Sequence, residues 1–327
     1  MTLADSRVLI TGGLGFIGSN LGRRLVGLGA HVTLVDSLIP QYGGNAFNIV
    51  DIEPAVHVNI CDVRDPQAML YLLANQDYLF NLAGQTGHVD SMTDPKTDLE
   101  INVAAQLSLL ECCRKVNPGI KIVFTSTRQL YGKPEYLPVD ELHPIRPVDV
   151  NGINKLAAEC YHRLYHTVYG IRACVLRLTN TYGRGMRVKD ARQTFLGIWV
   201  RRLLEGRPIQ VFGDGSQVRD FNHVDDCVDA LLLAAESEAA DGKVFNLGSA
   251  EVVSLKNLAE MMTNLGYGGA FELVPFPTDR KTIDIGDYYG DFGLINRELG
   301  WSPKVPLSVG LKTTVDFYRE HAKHYWE

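Results

Sequence analysis

Short apolar runs alternate with stretches of helical periodicity through the first half of the chain. The apolar runs predict strands at 7–11, 31–35, 56–60, 77–82, 120–125, 171–177 and 243–247. The amphipathic stretches predict helices at 16–28, 66–74, 98–116, 151–169 and 224–237. A repeated strand–helix–strand order is typical of an α/β fold with a doubly wound parallel sheet, so we expect a Rossmann-type domain.

The regular alternation weakens after Asn180. A glycine- and charge-rich loop, a helix and a hairpin-like GDGS turn follow, and the chain from about 250 contains helices and proline-bearing loops. We therefore expect two lobes, each with two pieces. The Rossmann domain would comprise 1–179 and 220–249, and a smaller C-terminal α/β substrate lobe would comprise 180–219 and 250–327. Ligands are expected where the lobes meet, at the carboxyl ends of the strands.

The first predicted strand runs into a glycine-rich turn, RVLITGGLGFIGS, which contains Gly12, Gly13, Gly15 and Gly18. Either GxxGxxG or GxGxxG spacing lets the backbone approach a phosphate, with the N–H groups of the following helix facing it. Asp36 ends the second strand, where a carboxylate suits the two hydroxyls of an adenine ribose and disfavours a 2′-phosphate. The pattern predicts NAD rather than NADP, and a ligand-free turn is the alternative.

Composition changes this picture little. Of the 327 residues, 46% are hydrophobic and 21% charged, and the net charge of −6 argues against nucleic acid or an anionic membrane as partner. No apolar run is long enough to cross a bilayer, and no secretory leader is visible, so we expect a cytoplasmic protein. The six cysteines form no CxxC pair, which favours reduced, buried thiols over disulfides or a metal site.

The third strand is followed by CDVRD, in which Asp62 and Val63 are candidates for contacts to adenine. Asp62 and Asp65 could instead cap the following helix. Asp65 precedes a proline and fits the cap well. We therefore assign the cap to Asp65 and the adenine contact to Asp62.

The next two strands carry the candidate chemistry. Ala83 and Gly84 are small enough for a dinucleotide to lie close to the fourth strand, and His88 follows on the predicted loop as a secondary catalytic candidate. The fifth strand ends in three hydroxyl residues, the last of them Thr127, which could hold a substrate hydroxyl or simply end the strand. Lys155, on the first turns of the next helix, could bind ribose hydroxyls.

In this order, the motifs resemble the extended short-chain dehydrogenase/reductases, specifically the NAD-dependent nucleotide-sugar epimerase/dehydratase family. The resemblance is carried by TGGLGFIGS, CDVRD, NLAG, STRQLYG, LAAE after Lys155, RLTNTYG and RDFNHVDD. It implies a tightly held NAD in the Rossmann lobe and a nucleotide-diphosphate sugar in the smaller lobe. The cofactor-binding residues that it implies are Gly12, Gly15, Phe16, Ile17, Gly18, Asp36, Asp62, Val63, Leu82, Ala83, Gly84 and Lys155.

The same resemblance implies the substrate-binding and catalytic residues. Thr127 corresponds to the family's catalytic serine or threonine and Lys155 to its active-site lysine. The expected sugar or diphosphate contacts are Gln85, Thr127, Asn180, Arg219 and Arg280. In relatives, two helices like those at 98–116 and 151–169 pair across a dimer, so we expect a homodimer, the alternative being that both are core helices.

One departure from the family affects proton transfer. The family's catalytic tyrosine lies four residues before the lysine, where this sequence has Asn151. A carboxamide has no pKa suited to proton transfer, although it could cap the helix. Three interpretations remain: another base such as His88 or a water held by Thr127 and Asn151, a variant reaction, or binding with little turnover.

A second departure concerns the reaction class. Dehydratases and decarboxylases of the family have an acidic residue within two positions after the threonine, whereas this chain has Arg128 and Gln129. We therefore predict an epimerase acting at C4 through a transient 4-keto intermediate. The alternatives are a 4,6-dehydratase or other NDP-sugar oxidoreductase, and an NAD/NDP-sugar binding protein with low activity.

Overall fold

The structure, a computed structural model, describes residues 3–326, except for the side chain of Asp279. The strands of this range are β1 Arg7–Thr11, β2 His31–Asp36, β3 Val56–Ile60, β4 Tyr78–Asn81, β5 Lys121–Thr127, β6 Arg172–Leu178, β7 Asn180–Tyr182, β8 Ile209–Phe212, β9 Val218–His223, β10 Val244–Asn246, β11 Val252–Ser254 and β12 Phe271–Val274. The α-helices are α1 Phe16–Gly27, α2 Pro66–Leu73, α3 His88–Thr93, α4 Pro95–Leu99, α5 Ala105–Val116, α6 Val150–Tyr169, α7 Phe195–Leu204, α8 Val224–Glu236, α9 Leu255–Thr263, α10 Thr278–Lys281, α11 Gly293–Leu299 and α12 Leu307–His321.

Seven strands form the main sheet, in the order β10-β6-β5-β4-β1-β2-β3, and every neighbouring pair is parallel. The doubly wound α/β prediction is confirmed, and each predicted strand ends within two residues of the observed one. The chain leaves β1 in one direction through β2 and β3, and returns to the other side for β4, β5 and β6. Such a reversal opens a crevice at the carboxyl ends of β1 and β4.

The sheet is buried on both faces because successive side chains of each strand enter different cores. Val8 and Ile10 pack with α1 and α8, whereas Leu9, between them, packs with α2 and α5. Both layers of helices are therefore attached to the same rigid strands, which fixes the strand ends at the crevice.

Two small sheets lie outside the main one, with the orders β11-β9-β7 and β12-β8. The predicted hairpin at GDGS is wrong. The turn exists, with Gly213 and Gly215 at φ of +68° and +72°, but β8 and β9 on its two sides belong to different sheets. A separate core that includes Val211, Leu258 and Val315 lies beneath these sheets. The division into two lobes at the predicted boundaries stays a prediction.

Two helix predictions need correction. The helix predicted over 98–116 is interrupted by a π-helical turn at Glu100–Ala104, a distortion that is common at functional sites. The segment with His88, predicted as a loop, forms the short helix α3. Of the six free cysteines, Cys160 is exposed and Cys61 is only partly buried, so the buried-thiol prediction is wrong for these two. Within 3–326 no helix is long and apolar enough to span a membrane.

Candidate functional site

A cavity of about 660 Å³ opens at the carboxyl ends of the main-sheet strands and extends to α7, β9 and α10. It brings together nearly all of the site residues predicted from the sequence. Those that line it are Gly12, Gly15, Phe16, Ile17, Gly18, Asp36, Asp62, Val63, Leu82, Ala83, Gly84, His88, Thr127, Asn151, Lys155, Asn180, Arg219 and Arg280.

Gln85 is the exception. Its side chain is buried away from the cavity and donates from Nε2 to the carbonyl of Gly87, at 3.0 Å. Contact of Gln85 with the sugar stays a prediction. Its backbone carbonyl instead accepts from the side chains of Asn102 and Asn151, which gives Gln85 a role in holding the cavity wall.

The glycine turn forms one end of the cavity. Gly12 has φ of +69°, a conformation that side chains disfavour, and a Cβ on Gly18 would lie 2.2 Å from the Gly12 carbonyl oxygen. Gly15 precedes α1 without a side-chain cap, so the first N–H groups of the helix remain available to a ligand. Gly13 packs against Leu34 instead of lining the cavity, which favours the GxxGxxG pattern of Gly12, Gly15 and Gly18.

Asp36 lies beside this turn at the end of β2. Its carboxylate accepts from the backbone N–H groups of Leu14, at 3.1 Å, and Leu38, at 2.9 Å. Burial raises the pKa of Asp36, and these donors oppose the rise. A carboxylate has about four acceptor positions, so two remain for the hydroxyls of a ribose.

The sequence predicted two roles for the residues after β3, and the structure confirms one of them. Asp65 caps α2 by accepting from the N–H groups of Gln67 and Ala68, which confirms that assignment. Asp62 lines the cavity but forms an ion pair with Arg64 at 2.7 Å. Contact of Asp62 with adenine stays a prediction.

A buried network fixes the end of β4. The hydroxyl of Thr11 donates to Asn81 Oδ1, at 2.9 Å, and accepts from the N–H groups of Leu82 and Ala83, both at 3.1 Å. Asn81 in turn donates to Gln106, at 2.6 Å. Single polar residues inside apolar strands give little warning of such a network, and sequence reasoning missed it.

Lys155 lies on the inner face of α6 and is only 5% exposed. Its Nζ donates to the carbonyl of Thr125, at 3.3 Å, and lies 5.1 Å from the ring centre of Phe124. Burial lowers the pKa of Lys155 to about 8, and the charge of Asp98 opposes this fall. A Cβ on Gly84 would come within 2.9 Å of Nζ, so the small residue leaves room for the lysine.

Asn151 is buried one turn before Lys155. Its Nδ2 donates to the carbonyl of Gln85, at 2.8 Å, and to Asp98, at 3.2 Å. The helix-capping alternative is wrong, because the N-cap of α6 is Asp149, which accepts from the N–H of Gly152. The side-chain amide of Asn151 thus donates hydrogen bonds to Gln85 and Asp98 in the cavity wall and does not cap the helix.

His88 and Asp149 form a pair that sequence reasoning found only in part. His88 Nδ1 lies 2.9 Å from Asp149 Oδ2, and the carboxylate is fully buried. Asp149 is also held by the N–H of Gly152, at 2.6 Å, and by Gln129 Nε2, at 2.9 Å. Burial favours a higher pKa for Asp149, but His88 and these donors outweigh it, and its pKa lies below the ordinary value. An acidic residue before an apolar helix was the available signal for Asp149.

Thr127 and Arg128 end β5 beside this pair. Thr127 Oγ1 accepts from the N–H of Gln129, at 3.2 Å, which leaves the hydroxyl proton for another acceptor. Arg128 lines the cavity and donates from Nη2 to Asn180 Oδ1, at 2.9 Å. Sequence reasoning noted Arg128 only as the absence of an acid and missed it as a cavity residue.

The far end of the cavity is strongly cationic. Arg219 is 6% exposed, and its Nη2 lies 3.5 Å from Asp284. Burial, with the charge of Arg128, lowers the pKa of Arg219 to about 10. Arg280 lies with its guanidinium 5.6 Å from the ring centre of Phe212. Among the side chains that the structure describes, seven lysines or arginines and three aspartates line the cavity, which favours an anionic ligand.

Comparison with known proteins gives consistent matches along the chain. Residues 8–248 match the NAD dependent epimerase/dehydratase family. A putative UDP-glucose 4-epimerase from Methanocaldococcus jannaschii is 31% identical over 96% of this chain and 99% of its own length. A dTDP-glucose 4,6-dehydratase from Streptomyces griseus is 30% identical over 98% of this chain and 96% of its own.

Solved structures agree with these matches. UDP-glucose 4-epimerase from Thermotoga maritima, solved with UDP-glucose, has a TM-score of 0.88 and 31% identity, over 97% of this chain and 99% of its own. A dTDP-glucose 4,6-dehydratase from Streptomyces venezuelae, solved with NAD and a second ligand, has a TM-score of 0.88 and 28% identity. That likeness covers 98% of this chain and 99% of the other. Epimerases and dehydratases are therefore about equally similar to this chain.

Proposed function

Because the chain belongs to the NAD-dependent epimerase/dehydratase family, we propose that it is an NDP-sugar epimerase that inverts a hexose at C4. One observation favours epimerisation over dehydration. Among the described side chains of residues 3–326, Asp279 not being one of them, the carboxylates that line the cavity are Asp36, Asp62 and Asp284, and none lies within two positions after Thr127. Elimination of water from C5 and C6 requires an acid at the sugar, and Arg128 and Gln129 cannot supply it.

The nucleotide end of the cavity fits NAD. The turn of Gly12, Gly15 and Gly18 has no room for a Cβ at Gly18, and the uncapped start of α1 offers N–H groups to a pyrophosphate. Asp36 retains acceptor positions for a ribose. A bound NAD would supply reversible hydride transfer at C4 of the sugar. Val63, Leu82 and Ala83 would line the same path, with Lys155 at the second ribose.

The other end would hold the nucleotide-diphosphate sugar. We propose Arg219 and Arg280 for the diphosphate; Asn180 accepts from Arg128, which follows Thr127, and donates to the carbonyl of Asp220, which follows Arg219. Thr127 would orient the C4 hydroxyl with the hydroxyl proton that it does not use in its own hydrogen bond. Orientation of this kind is a main contribution of the protein when the cofactor carries the redox step.

We assign proton transfer to His88, because Asn151 stands where the family's tyrosine is expected. His88 lines the cavity, and its Nδ1 lies 2.9 Å from Asp149, so Nε2 is the nitrogen that we propose for the substrate. Asp149 favours the tautomer with its proton on Nδ1, so Nε2 can accept the proton of the C4 hydroxyl and give it back. The engaged amide of Asn151 favours a second candidate, a binding protein with little turnover.

The test incubates purified protein and NAD with UDP- and dTDP-hexoses and follows the anomeric and C4 proton signals by NMR. Epimerase activity gives an equilibrium mixture of C4 epimers without net NADH. A stable 4-keto product would instead identify a dehydratase. Binding of nucleotide sugar without any conversion would identify the binding protein, and both outcomes contradict the proposal.

The role of His88 has its own test. His88→Asn should lower kcat by roughly 10²–10⁴ with little change in KM, as expected for loss of general base catalysis. His57→Asn is the matched control, because His57 is exposed on β3 and lies outside the cavity lining. Equal activity of the two variants would exclude His88 as the base.

A further inference from the structure

Arg128 has an unused hydrogen-bonding group inside the cavity. Its Nη1 is buried and has no hydrogen-bond partner among residues 3–326. Nη2 donates to Asn180, and the guanidinium lies 5.0 Å from the ring centre of Tyr288. A buried N–H without an acceptor is costly, more so on a charged group, and an acceptor on a ligand in the cavity would remove that cost.

The carboxylates near Arg128 are committed to other donors. None of them forms an ion pair with Arg128 in the described part of the chain. Asp149 contacts His88 and accepts from the N–H of Gly152 and from Gln129. Asp220 accepts from Thr179 and from the N–H of Gly290. Asp284 accepts from Gln217 and from the N–H of Gly286, and it forms an ion pair with Arg219. The carboxylates described around Arg128 therefore supply no counter-charge that is free to bind the guanidinium.

The guanidinium of Arg219 makes the charge of Arg128 less favourable when no ligand is bound. The charge of Arg128 is one cause, after burial, of the lowered pKa of Arg219. Burial likewise lowers the pKa of Arg128. Two cations that disfavour each other in a cavity attract an anion strongly, since an anion relieves both the repulsion and the missing hydrogen bonds.

Arg128 differs from the cations assigned to the diphosphate in its place along the chain. It directly follows Thr127 at the end of β5 and shares Asn180 with the sugar end of the cavity. Arg219 lies on β9 and Arg280 on α10, and both line the same cavity. With Arg219 and Arg280 proposed for the diphosphate, Arg128 is the lining arginine that directly follows Thr127, the residue proposed to orient the C4 hydroxyl, and so it is placed for a further negative group on the sugar.

We infer that Arg128 binds a carboxylate on the sugar, which makes the substrate class a nucleotide-diphosphate hexuronate. This inference rests on the proposed function, because it places the sugar beside Thr127. A guanidinium suits a carboxylate because two N–H groups can donate to its two oxygens in parallel, and a neutral hexose would leave Nη1 unpaired.

Calorimetry on the NAD-loaded protein tests this inference without requiring turnover. The probes are UDP-glucuronic acid against UDP-glucose, and the corresponding dTDP pair. At least one hexuronate should bind tenfold or more tightly than its matched hexose. Arg128→Gln should remove the preference by weakening the hexuronate alone, and Arg128→Lys should retain part of it. Arg207→Gln, a change at an exposed ion pair with Glu205, should leave both affinities unchanged.

Several results would overturn the inference. Equal binding of hexuronate and hexose in each pair, or no binding of any hexuronate, excludes a carboxylate site. Equal weakening of both probes by Arg128→Gln would assign Arg128 to the diphosphate instead. Failure of the proposed function is distinguishable, because a hexuronate preference without C4 inversion by NMR supports the carboxylate site and rejects the epimerase. C4 inversion of a hexose, without tighter binding of the hexuronate, would support the epimerase and reject the carboxylate site.

Discussion

The glycine turn after β1 and the polar cluster at the start of α6 line the same cavity but are built in opposite ways. In the turn, the backbone provides the binding groups, and Gly18 is fixed by its contact with the Gly12 carbonyl. In the cluster, side chains from separate elements meet: His88 from α3, Asp98 from α4, and Asn151 and its cap Asp149 from α6. The turn tolerates no change of size, whereas the cluster depends on the chemistry of each side chain.

The largest expected effect tests the turn. In Gly18→Ala, the new Cβ would lie 2.2 Å from a backbone oxygen, and neither atom can move without displacing β1 or α1. We expect a loss of about 3 kcal/mol in the free energy of unfolding, together with loss of NAD binding, because overpacking against backbone is not relieved by rotamer changes. Urea denaturation and calorimetry with NAD measure the two effects.

Gly27→Ala is the matched control in the same helix. A Cβ there meets nothing within 4 Å, so the substitution should stabilise the protein by up to about 1 kcal/mol through the better helix propensity of alanine. If both variants lost stability to the same extent, the close approach at Gly18 would not be the cause, and the comparison above would not hold.

The same contrast explains what the sequence could and could not predict. The turn, Asp36 and the strands around them are local patterns, in which residue types at fixed spacing determine the backbone, and the structure has them as predicted. The GDGS turn was also recognised, but its strands pair with partners from distant parts of the chain, which a local pattern does not encode. The helix predicted over 98–116 failed for a similar reason, since no local signal marks its π-helical turn.

The cluster at α6 was predictable as a set of residues and not as a set of contacts. His88, Asn151 and Lys155 were identified from the sequence, and all three line the cavity. The partner of each was not, because Asp149 and Asp98 reach them only through tertiary packing. Gln85 shows the converse, since its neighbours in sequence line the cavity while its side chain turns away.

The second prediction concerns the substitution of Asn151 by tyrosine, the residue that the family usually has at this position. Asn151→Tyr should not raise kcat, because His88 already serves as base. It should cost about 1–3 kcal/mol of stability, since a larger side chain enters a buried position and Asp98 loses a donor. Arg163→Tyr, on the exposed side of α6, should change stability by less than about 0.5 kcal/mol. A gain of activity in Asn151→Tyr would show that the chain lacks a base of its own.

A third prediction uses the pH dependence of stability to measure the effect of the buried charge of Lys155. Burial lowers the pKa of Lys155 from 10.5 to about 8, so the folded state binds this proton less tightly than the unfolded chain does. The stability linked to Lys155 is therefore fully present above about 10.5 and is lost as the pH falls to about 8. Lys155→Met should raise the free energy of unfolding at pH 7 by roughly 1–3 kcal/mol, and the gain should shrink towards pH 10.

Lys133→Met provides the control for that measurement. Lys133 is exposed, so its replacement should change stability little and without pH dependence over the same range. A gain for Lys155→Met that stayed constant from pH 7 to pH 10 would show that the lysine acts through packing and not through its charge.

The smallest expected effect on stability comes from a substitution on the outer face of α6. This substitution tests whether the polar cluster at the start of α6, unlike the glycine turn, depends on a second subunit. Ile153, Leu164 and Val168 lie on this face with 54%, 50% and 58% of their surface exposed. They recur at helical spacing and so form an apolar stripe on the helix that carries Asn151 and Lys155. α1, which carries the glycine turn, packs instead against α8 of its own chain.

We therefore expect the protein to form a dimer through this stripe, and Leu164→Lys to convert it to a monomer in light scattering at micromolar concentration. The monomer should unfold at nearly the same denaturant concentration, because the residue contributes little to its own core, while kcat should fall as α6 loses the support of its partner. Leu142→Lys is the control, since Leu142 is 88% exposed outside α5 and α6. A wild-type protein that is already monomeric and active would show instead that α6, like the glycine turn, is held in place by its own chain alone.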